Sequence, residues 1–107
     1  MKKLAMISQP MAGRSERFIT TMRARAIEAL ERRGYEVVNT LFTDELFDRE
    51  KLEGRGIVQI PLHFLAKSLE GMSYCHAVYF CRGWQDARGC RIEHDAAVAY
   101  GLEVIEE

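Results

Sequence analysis

The sequence predicts a three-layer α/β domain with a mostly parallel sheet of four or five strands and helices on both faces. Short apolar runs rich in β-type residues alternate along the chain with segments of helical periodicity. Strands that are separated by helices pair in parallel through right-handed crossovers, which place the helices on the faces of the sheet. A length of 107 residues suits a single domain over residues 1–107.

Charge and composition argue against several classes of partner. The formal net charge is −1, with 15 basic and 16 acidic residues, so no clustered positive charge predicts binding to a nucleic-acid polymer. No apolar run approaches the roughly 20 residues of a membrane span, so no membrane association is expected. The three cysteines, Cys75, Cys81 and Cys90, lack the spacing of a disulfide framework, which favours reduced thiols and a cytoplasmic protein.

The first half of the chain predicts a strand, a helix and a second strand. Residues 4–8 are an apolar run that ends at Gln9-Pro10, and residues 35–41 form the second strand. Between them, a helix over residues 16–33 begins after Ser15 as N-cap and ends before Gly34. Its predicted buried stripe consists of Phe18, Met22, Ala26, Ala29 and Leu30.

The second half is predicted to complete the sheet. Residues 42–60 are rich in charge and glycine and predict either a short helix or a mobile flap. Pro61 suits the first turn of a helix over residues 62–69. Strands follow at residues 77–81 and 102–105, with a helix over residues 88–101 between them.

The last predicted helix carries an unexpected carboxylate. At 100° per residue, one small or apolar arc is predicted to pack on the sheet, and it consists of Gly89, Ile92, Ala96, Ala97, Ala99 and Tyr100. Glu93 falls near the middle of that arc, where an ionised side chain is unfavourable. Glu93 is therefore either a structural ion-pair partner or a group that faces a ligand.

The predicted crevice lies where parallel strands end. Ligands of such sheets bind beyond the carboxyl ends of the strands, which indicates the loops at residues 9–15, 39–44 and 82–88. Glu93 lies one turn into the helix that follows the last of these loops and is the candidate catalytic residue. The candidate substrate-binding residues are Ser8, Gln9, Pro10, Met11, Gly13, Arg14, Asn39, Gly83, Trp84, Arg88 and Gly89.

Several of these residues have an ordinary structural interpretation as well. Free N–H groups and Arg14 after the first strand can hold an anion, or the segment is a plain strand-to-helix turn. Trp84 either stacks on a base or packs at the edge of the sheet. Asn39 either contacts a ligand or serves a turn. Cys90 and His94 have the spacing of two metal ligands, but no metal-binding motif supports them, so no metal and no cofactor are expected.

The electrostatics of Glu93 can also be predicted. Partial burial raises the pKa of a carboxyl group, whereas a helix N-terminus and a nearby arginine lower it. A nucleophile has to be ionised near neutral pH. We therefore expect the lowering effects to dominate, with Arg14 or Arg88 as the nearby cation.

Three segments together resemble a known family. They are "ISQPMAG", "NTLF" and "AVYFCRGWQDARGCRIEHDAAVAYGL", and they resemble a phage and bacterial family catalogued as a domain of unknown function (DUF4406). That family is similar to nucleoside 2-deoxyribosyltransferases and nucleotide N-glycosidases. The resemblance implies their flavodoxin-like fold, with Glu93 as the nucleophile that attacks the anomeric carbon, Gly89 in the same motif, and residues 9–13 as the loop that binds sugar and phosphate.

The chain departs from those relatives at four positions of functional residues. Met6 replaces a tyrosine of the first strand, and Ser68 replaces an aspartate that handles the leaving base. Ala87 replaces an aspartate or serine that contacts sugar or phosphate, and His76 replaces an aspartate that opens the third strand. Two functions therefore remain open. One is N-glycosidic bond cleavage or base exchange on a nucleoside or nucleotide, and the other is non-catalytic binding of a nucleotide or nucleotide-derived signal.

The relatives complete their sites with a neighbouring subunit, which implies a homodimer or a larger even homo-oligomer. The candidate contact surfaces are residues 42–55 and the helix over residues 62–69, on which Phe64 and Leu65 are predicted to be exposed.

Overall fold

The computed structural model describes residues 2–38 and 48–107. Its sheet has four parallel strands, β1 (Lys3–Ser8), β2 (Tyr35–Val37), β3 (Ala77–Phe80) and β4 (Glu103–Glu106), in the order β2-β1-β3-β4. β1 and β3 are adjacent at the centre, with Ala5 opposite Ala77 and Ser8 opposite Phe80. All four residues of β3 are buried because the strand is covered on both faces.

In the described residues, four helices connect and flank these strands: α1 (Glu16–Arg32), α2 (Arg49–Gly54), α3 (Ile60–Met72) and α4 (Arg88–Ala99). The Ser15 hydroxyl accepts the N–H of Phe18 at 3.1 Å, which caps α1 as predicted. α1 is followed by Gly34, whose φ of 86° is the left-handed conformation that glycine adopts without strain. A short 3₁₀ turn, Trp84–Asp86, precedes α4.

The helices lie on both faces of the sheet, so the predicted three-layer α/β fold is confirmed. On one face, α1 packs on the strands through a cluster that consists of Ala5, Ile7, Ala26, Leu30, Tyr35, Ala77, Tyr79, Cys81 and Ile105. On the other face, α3 and α4 contribute to a cluster that consists of Met6, Met72, Val78, Phe80 and Ala97. Burial of these apolar surfaces is the main stabilising contribution to such a layered fold.

Element boundaries differ from the sequence prediction in two places. α3 begins at Ile60, with Pro61 in its first turn, and continues through Gly71 to Met72. It is therefore several residues longer than predicted. Residues 42–60 were predicted to hold a short helix or a mobile flap. In the described part of this segment, the structure has the short helix α2. The end of the predicted second strand and residues 42–47 lie outside the described residues.

The buried faces of two helices are rotated from those predicted. In α1, Phe18 is 40% exposed, and Ile19 and Arg23 are buried in addition to Ala26 and Leu30. In α4, Ile92 and Tyr100 are exposed, and the inward residues are Cys90, Glu93 and Ala97. Small side chains at positions 96 and 97 let α4 lie close to the sheet, so its large apolar residues point to solvent.

Within the described ranges, no helix is long and apolar enough to cross a membrane. Cys75, Cys81 and Cys90 are all free of disulfide bonds.

Candidate active site

A cleft of about 490 Å³ lies at the carboxyl end of β1, between the first turns of α4 and the inner side of α3. This is the place at which parallel sheets bind ligands. Its volume is within the roughly 300–1,000 Å³ typical of small-molecule pockets. The residues that line it are Ile7, Ser8, Gln9, Pro10, Met11, Ala12, Arg23, Pro61, Phe64, Leu65, Ser68, Asp86, Ala87, Arg88, Gly89, Cys90 and Glu93.

Glu93 is the buried carboxyl group of this cleft, with 7% of its surface exposed. It lies on the second turn of α4, on the inward face together with Cys90 and Ala97. The Ser8 hydroxyl donates a hydrogen bond of 2.5 Å to Glu93 Oε2. Because side chains alternate along a strand, Ser8 points to the same face as Met6, which is the face that α4 covers.

Burial raises the pKa of the Glu93 carboxyl above its ordinary value, and hydrogen bonds from Ser8 and Ser68 partly offset this effect. The expectation that an arginine lowers the pKa of Glu93 is therefore wrong. Arg14 is exposed and lies over the ring of Phe18, 4.7 Å from its centroid. Arg88 lines the cleft with an exposed side chain and is not among the groups that shift the pKa of Glu93.

Cys90 is the second potential nucleophile in the cleft. Cys90 is 5% exposed, and burial raises the pKa of its thiol to about 11, with a lowering effect from Ser8 and a smaller raising effect from the Glu93 charge. On the order of one thiol in ten thousand is then ionised at neutral pH, which leaves it unreactive. Between the two side chains, the carboxyl group is the better candidate nucleophile.

A buried arginine forms another part of the cleft. Arg23 is 7% exposed, and its Nη1 donates to Gln9 Oε1 at 3.4 Å. Gln9 is held in turn by the hydrogen bond of its Nε2 to the Ile19 carbonyl at 3.0 Å. Burial lowers the pKa of the Arg23 guanidinium, which nonetheless remains a cation at neutral pH. The cleft thus presents both a cation and a carboxyl group.

One wall of the cleft is apolar and belongs to α3. Pro61, Phe64 and Leu65 line it, followed one turn later by Ser68. The prediction that Phe64 and Leu65 are exposed is wrong, because both are half-buried against the cleft. The large apolar residues of α3 that are exposed are instead Leu62 at 60% and Leu69 at 36%.

The structure brings most of the sequence-predicted residues together. Those that line the cleft are Ser8, Gln9, Pro10, Met11, Arg88, Gly89 and Glu93. Gly13, Arg14, Gly83 and Trp84 are not among the lining residues that the structure describes, and Asn39 lies outside the described residues.

Trp84 makes packing contacts within the protein, which is one of the two roles predicted for it. Its ring is stacked on His94, with centroids 4.1 Å apart and 9° between the planes. Its other ring contact is with Phe80, at 5.4 Å, and its Nε1 donates to Glu106 on the edge strand β4 at 3.0 Å. One face of the indole is therefore covered by the protein itself.

Sequence reasoning did not identify Arg23, Phe64, Leu65, Asp86 or Cys90 as residues of the cleft. Arg23 had a detectable signal, because Ile19, Arg23, Ala26 and Leu30 have helical spacing and form one buried stripe. The α3 residues follow a pattern that is apolar on most sides, so periodicity alone does not distinguish a cleft wall from a solvent face.

The four positions at which the sequence resemblance led us to expect other functional residues have distinct surroundings. Met6 is fully buried in the core, and Ser68 lines the cleft and hydrogen-bonds Glu93. Ala87 is the N-cap of α4 and lines the cleft without a side-chain capping bond. His76 Nδ1 accepts the N–H of Leu4 at 3.0 Å, which joins the starts of β1 and β3.

In the described parts of the chain, no three His, Cys, Asp or Glu side chains are grouped so that they can hold a metal ion.

Comparison with protein families gives one match. The model of the family described as a domain of unknown function (DUF4406) matches residues 4–106. The chain belongs to this family. No curated protein and no solved structure matches it. The description of DUF4406 states no activity, so the function of this member has to be argued from its cleft.

Proposed function

We propose that this DUF4406 protein cleaves or exchanges the N-glycosidic bond of a nucleoside or nucleotide, with Glu93 as nucleophile. The observation that carries the proposal is a buried carboxyl group lining a cleft of about 490 Å³ at the carboxyl end of a central parallel strand. The resemblance to deoxyribosyltransferases and N-glycosidases supplies the class of substrate. Carboxylates are effective nucleophiles at sugar carbons because a covalent intermediate divides one difficult step into two.

The proposed reaction has two displacements at the anomeric carbon. A Glu93 carboxylate oxygen forms a bond to that carbon, and the C–N bond breaks with its electron pair on the departing base. Water then attacks the same carbon, breaks the ester bond and regenerates the carboxylate. The proton that water loses balances the proton that the base gains, and a second base in place of water gives exchange.

The lining of the cleft suits an amphipathic ligand with a sugar and a flat base. Phe64, Leu65 and Pro61 offer an apolar wall against which a base can pack, and Arg23 and Arg88 favour an anionic group. The buried thiol of Cys90 does not compete as a nucleophile, since its pKa is about 11.

One observation favours the second candidate, a non-catalytic binding module for a nucleotide or nucleotide-derived signal. Burial raises the pKa of Glu93, which favours the neutral carboxyl group. A neutral carboxyl group can donate a hydrogen bond to a sugar hydroxyl but is a poor nucleophile. The two functions differ in turnover, so a direct assay separates them.

The test is incubation with a panel of nucleosides and nucleoside 5′-monophosphates, followed by chromatography for free base. We expect base release by the wild type and none by Glu93→Gln, whose ligand affinity stays within about tenfold, or about 1.4 kcal/mol. Asp95→Asn, an exposed carboxylate on the same helix, is the matched control and should keep full activity. Binding without base release by the wild type would instead establish the binding module.

We also propose that the protein is a cytoplasmic homodimer or larger even homo-oligomer that contacts neither nucleic-acid polymers nor membranes. Its unpaired cysteines and its net charge of −1 support this setting. The exposed Leu62 and Leu69 on α3 are the candidate contact residues, and they lie on the same helix as the apolar wall of the cleft.

A further inference from the structure

Ser8 lies between two other groups of the cleft. Its hydroxyl donates to Glu93 Oε2 at 2.5 Å, and the contact with Ser8 also lowers the pKa of the Cys90 thiol. A serine hydroxyl has one hydrogen and two acceptor lone pairs. That hydrogen is donated to Glu93. The Ser8 hydroxyl therefore has no hydrogen left for a ligand.

We propose that Ser8 is a positioning residue that acts through Glu93: its hydroxyl holds Oε2 against the end of β1 and so fixes the orientation of the carboxyl group in the cleft. This inference rests on the proposed function of the cleft, and it changes the role of Ser8 from substrate binding to orientation of the nucleophile. Ser8 is 2% exposed and is the last residue of a central strand. A group on such a rigid element fixes geometry better than a loop residue.

The bond also bears on the charge of Glu93. A hydrogen bond donated to a carboxylate favours its ionised form, which a buried nucleophile requires. Ser8 from β1 and Ser68 from α3 are the side chains that hydrogen-bond Glu93. The titratable and charged side chains that face the same cleft are Arg23 on α1, Asp86 before α4, and Arg88 and Cys90 on α4.

The first arm of the test needs no activity. In protein labelled with ¹³C at the glutamate side-chain carboxyl, the Glu93 resonance is assigned by its loss in Glu93→Gln and is then titrated. Ser8→Ala should raise the pKa of Glu93, and Ser8→Thr, which keeps the hydroxyl, should restore the wild-type titration. If Ser8→Ala folds poorly, Ser8→Cys takes its place, because cysteine is close to serine in size and is only a weak hydrogen-bond donor. It should raise the pKa of Glu93 as Ser8→Ala does.

The second arm follows base release against pH. Ser8→Ala should lower kcat about tenfold at neutral pH, move the acid limb of the profile to higher pH and leave KM within about twofold. Ser73→Ala, which removes an exposed hydroxyl bonded to the Glu70 carbonyl, is the control and should change neither the titration nor the profile.

The two arms separate the failure of this inference from the failure of the proposed function. An unchanged Glu93 titration in both Ser8→Ala and Ser8→Cys overturns the positioning role, whatever the activity. If Ser8→Ala raises the pKa of Glu93 and Ser8→Thr restores it, the positioning role of Ser8 is supported even in a protein that releases no base. The absence of base release would reject the glycosidase function and leave the positioning role intact. A KM effect with an unmoved pH profile would return Ser8 to substrate binding.

Discussion

At the scale of single residues, the proposed chemistry of the cleft depends on one carboxyl group whose burial is unfavourable for stability. Glu93 is 7% exposed, and burial raises its pKa. A group with this environment in a cleft is a recognised indicator of a functional site. The sequence indicated Glu93 because a charged residue interrupts an apolar helical arc. It did not indicate Ser8 as its partner, because the two residues are 85 positions apart and meet only in the folded chain.

The raised pKa predicts how stability depends on pH. For a carboxyl group whose pKa is higher in the folded state, the contribution to stability is largest below the ordinary pKa of about 4.3 and is lost as pH rises through the folded value. Glu93→Gln carries no charge at any pH. It should therefore raise the free energy of unfolding by roughly 0.5–2 kcal/mol at neutral pH, with no gain near pH 4.

Thermal unfolding of wild type and Glu93→Gln across that pH range measures the effect. A 1 kcal/mol change corresponds to a shift in Tm of roughly 4–8 °C for a domain of this size. The exposed Asp95→Asn should show no such pH-dependent gain. A Glu93→Gln variant that is less stable than wild type at neutral pH would contradict this prediction and would mean that the hydrogen-bonded carboxylate stabilises the fold.

At the scale of elements, the positions of the strands could be predicted from the sequence more accurately than the buried faces of the helices. β1 and β3 are continuous apolar runs, which is the pattern of central parallel strands, and both lie at the centre. α4 has small residues on more than one side, so the sequence did not distinguish Ile92 from Cys90 as the inward position. Tertiary packing decides such a rotation, and it places Cys90 inward.

The apolar wall of α3 predicts a defined kinetic effect. Leu65→Ala removes part of the surface against which a base packs, and it should raise KM about tenfold with kcat within about threefold. Glu70→Ala, at an exposed position on the same helix outside the cleft, is the matched control and should change neither constant. Equal effects from both variants in the base-release assay would show that α3 acts through stability and not through contact with the ligand.

The cap of α1 can be tested independently of the cleft. Ser15→Ala removes the acceptor for the Phe18 N–H and should lower the free energy of unfolding by about 1 kcal/mol. Ser15→Asp retains an acceptor and should stay close to wild type in urea unfolding. If Ser15→Ala leaves the free energy of unfolding unchanged, the Phe18 N–H finds another hydrogen-bond acceptor in that variant.

At the scale of the whole molecule, the fold and the family were predictable, whereas the assembly remains a prediction. The alternation of strands and helices identified the layered sheet, and the three quoted segments identified DUF4406, which the family match over residues 4–106 confirms. Subunit contacts depend on surface shape. The sequence placed Phe64 and Leu65 on the outside, where Leu62 and Leu69 are found instead.

The proposed assembly predicts a mass of at least twice the 12.3 kDa of one chain in light scattering at micromolar concentration. Leu62→Glu places a charge in the candidate contact surface and should reduce the mass to that of one chain. Phe18→Glu, at an exposed apolar position on the opposite layer, should leave the assembly intact. A monomeric wild type would contradict the proposal.

The central claim is that Glu93 becomes covalently bonded to the sugar, and mass spectrometry of the acid-quenched reaction tests it most directly. The wild type, mixed with the substrate that the panel identifies, should gain the mass of one glycosyl group on the peptide that contains Glu93. Glu93→Gln should gain none and release no base. Base release by Glu93→Gln at the wild-type rate, with no adduct on Glu93 in the wild type, would contradict the account.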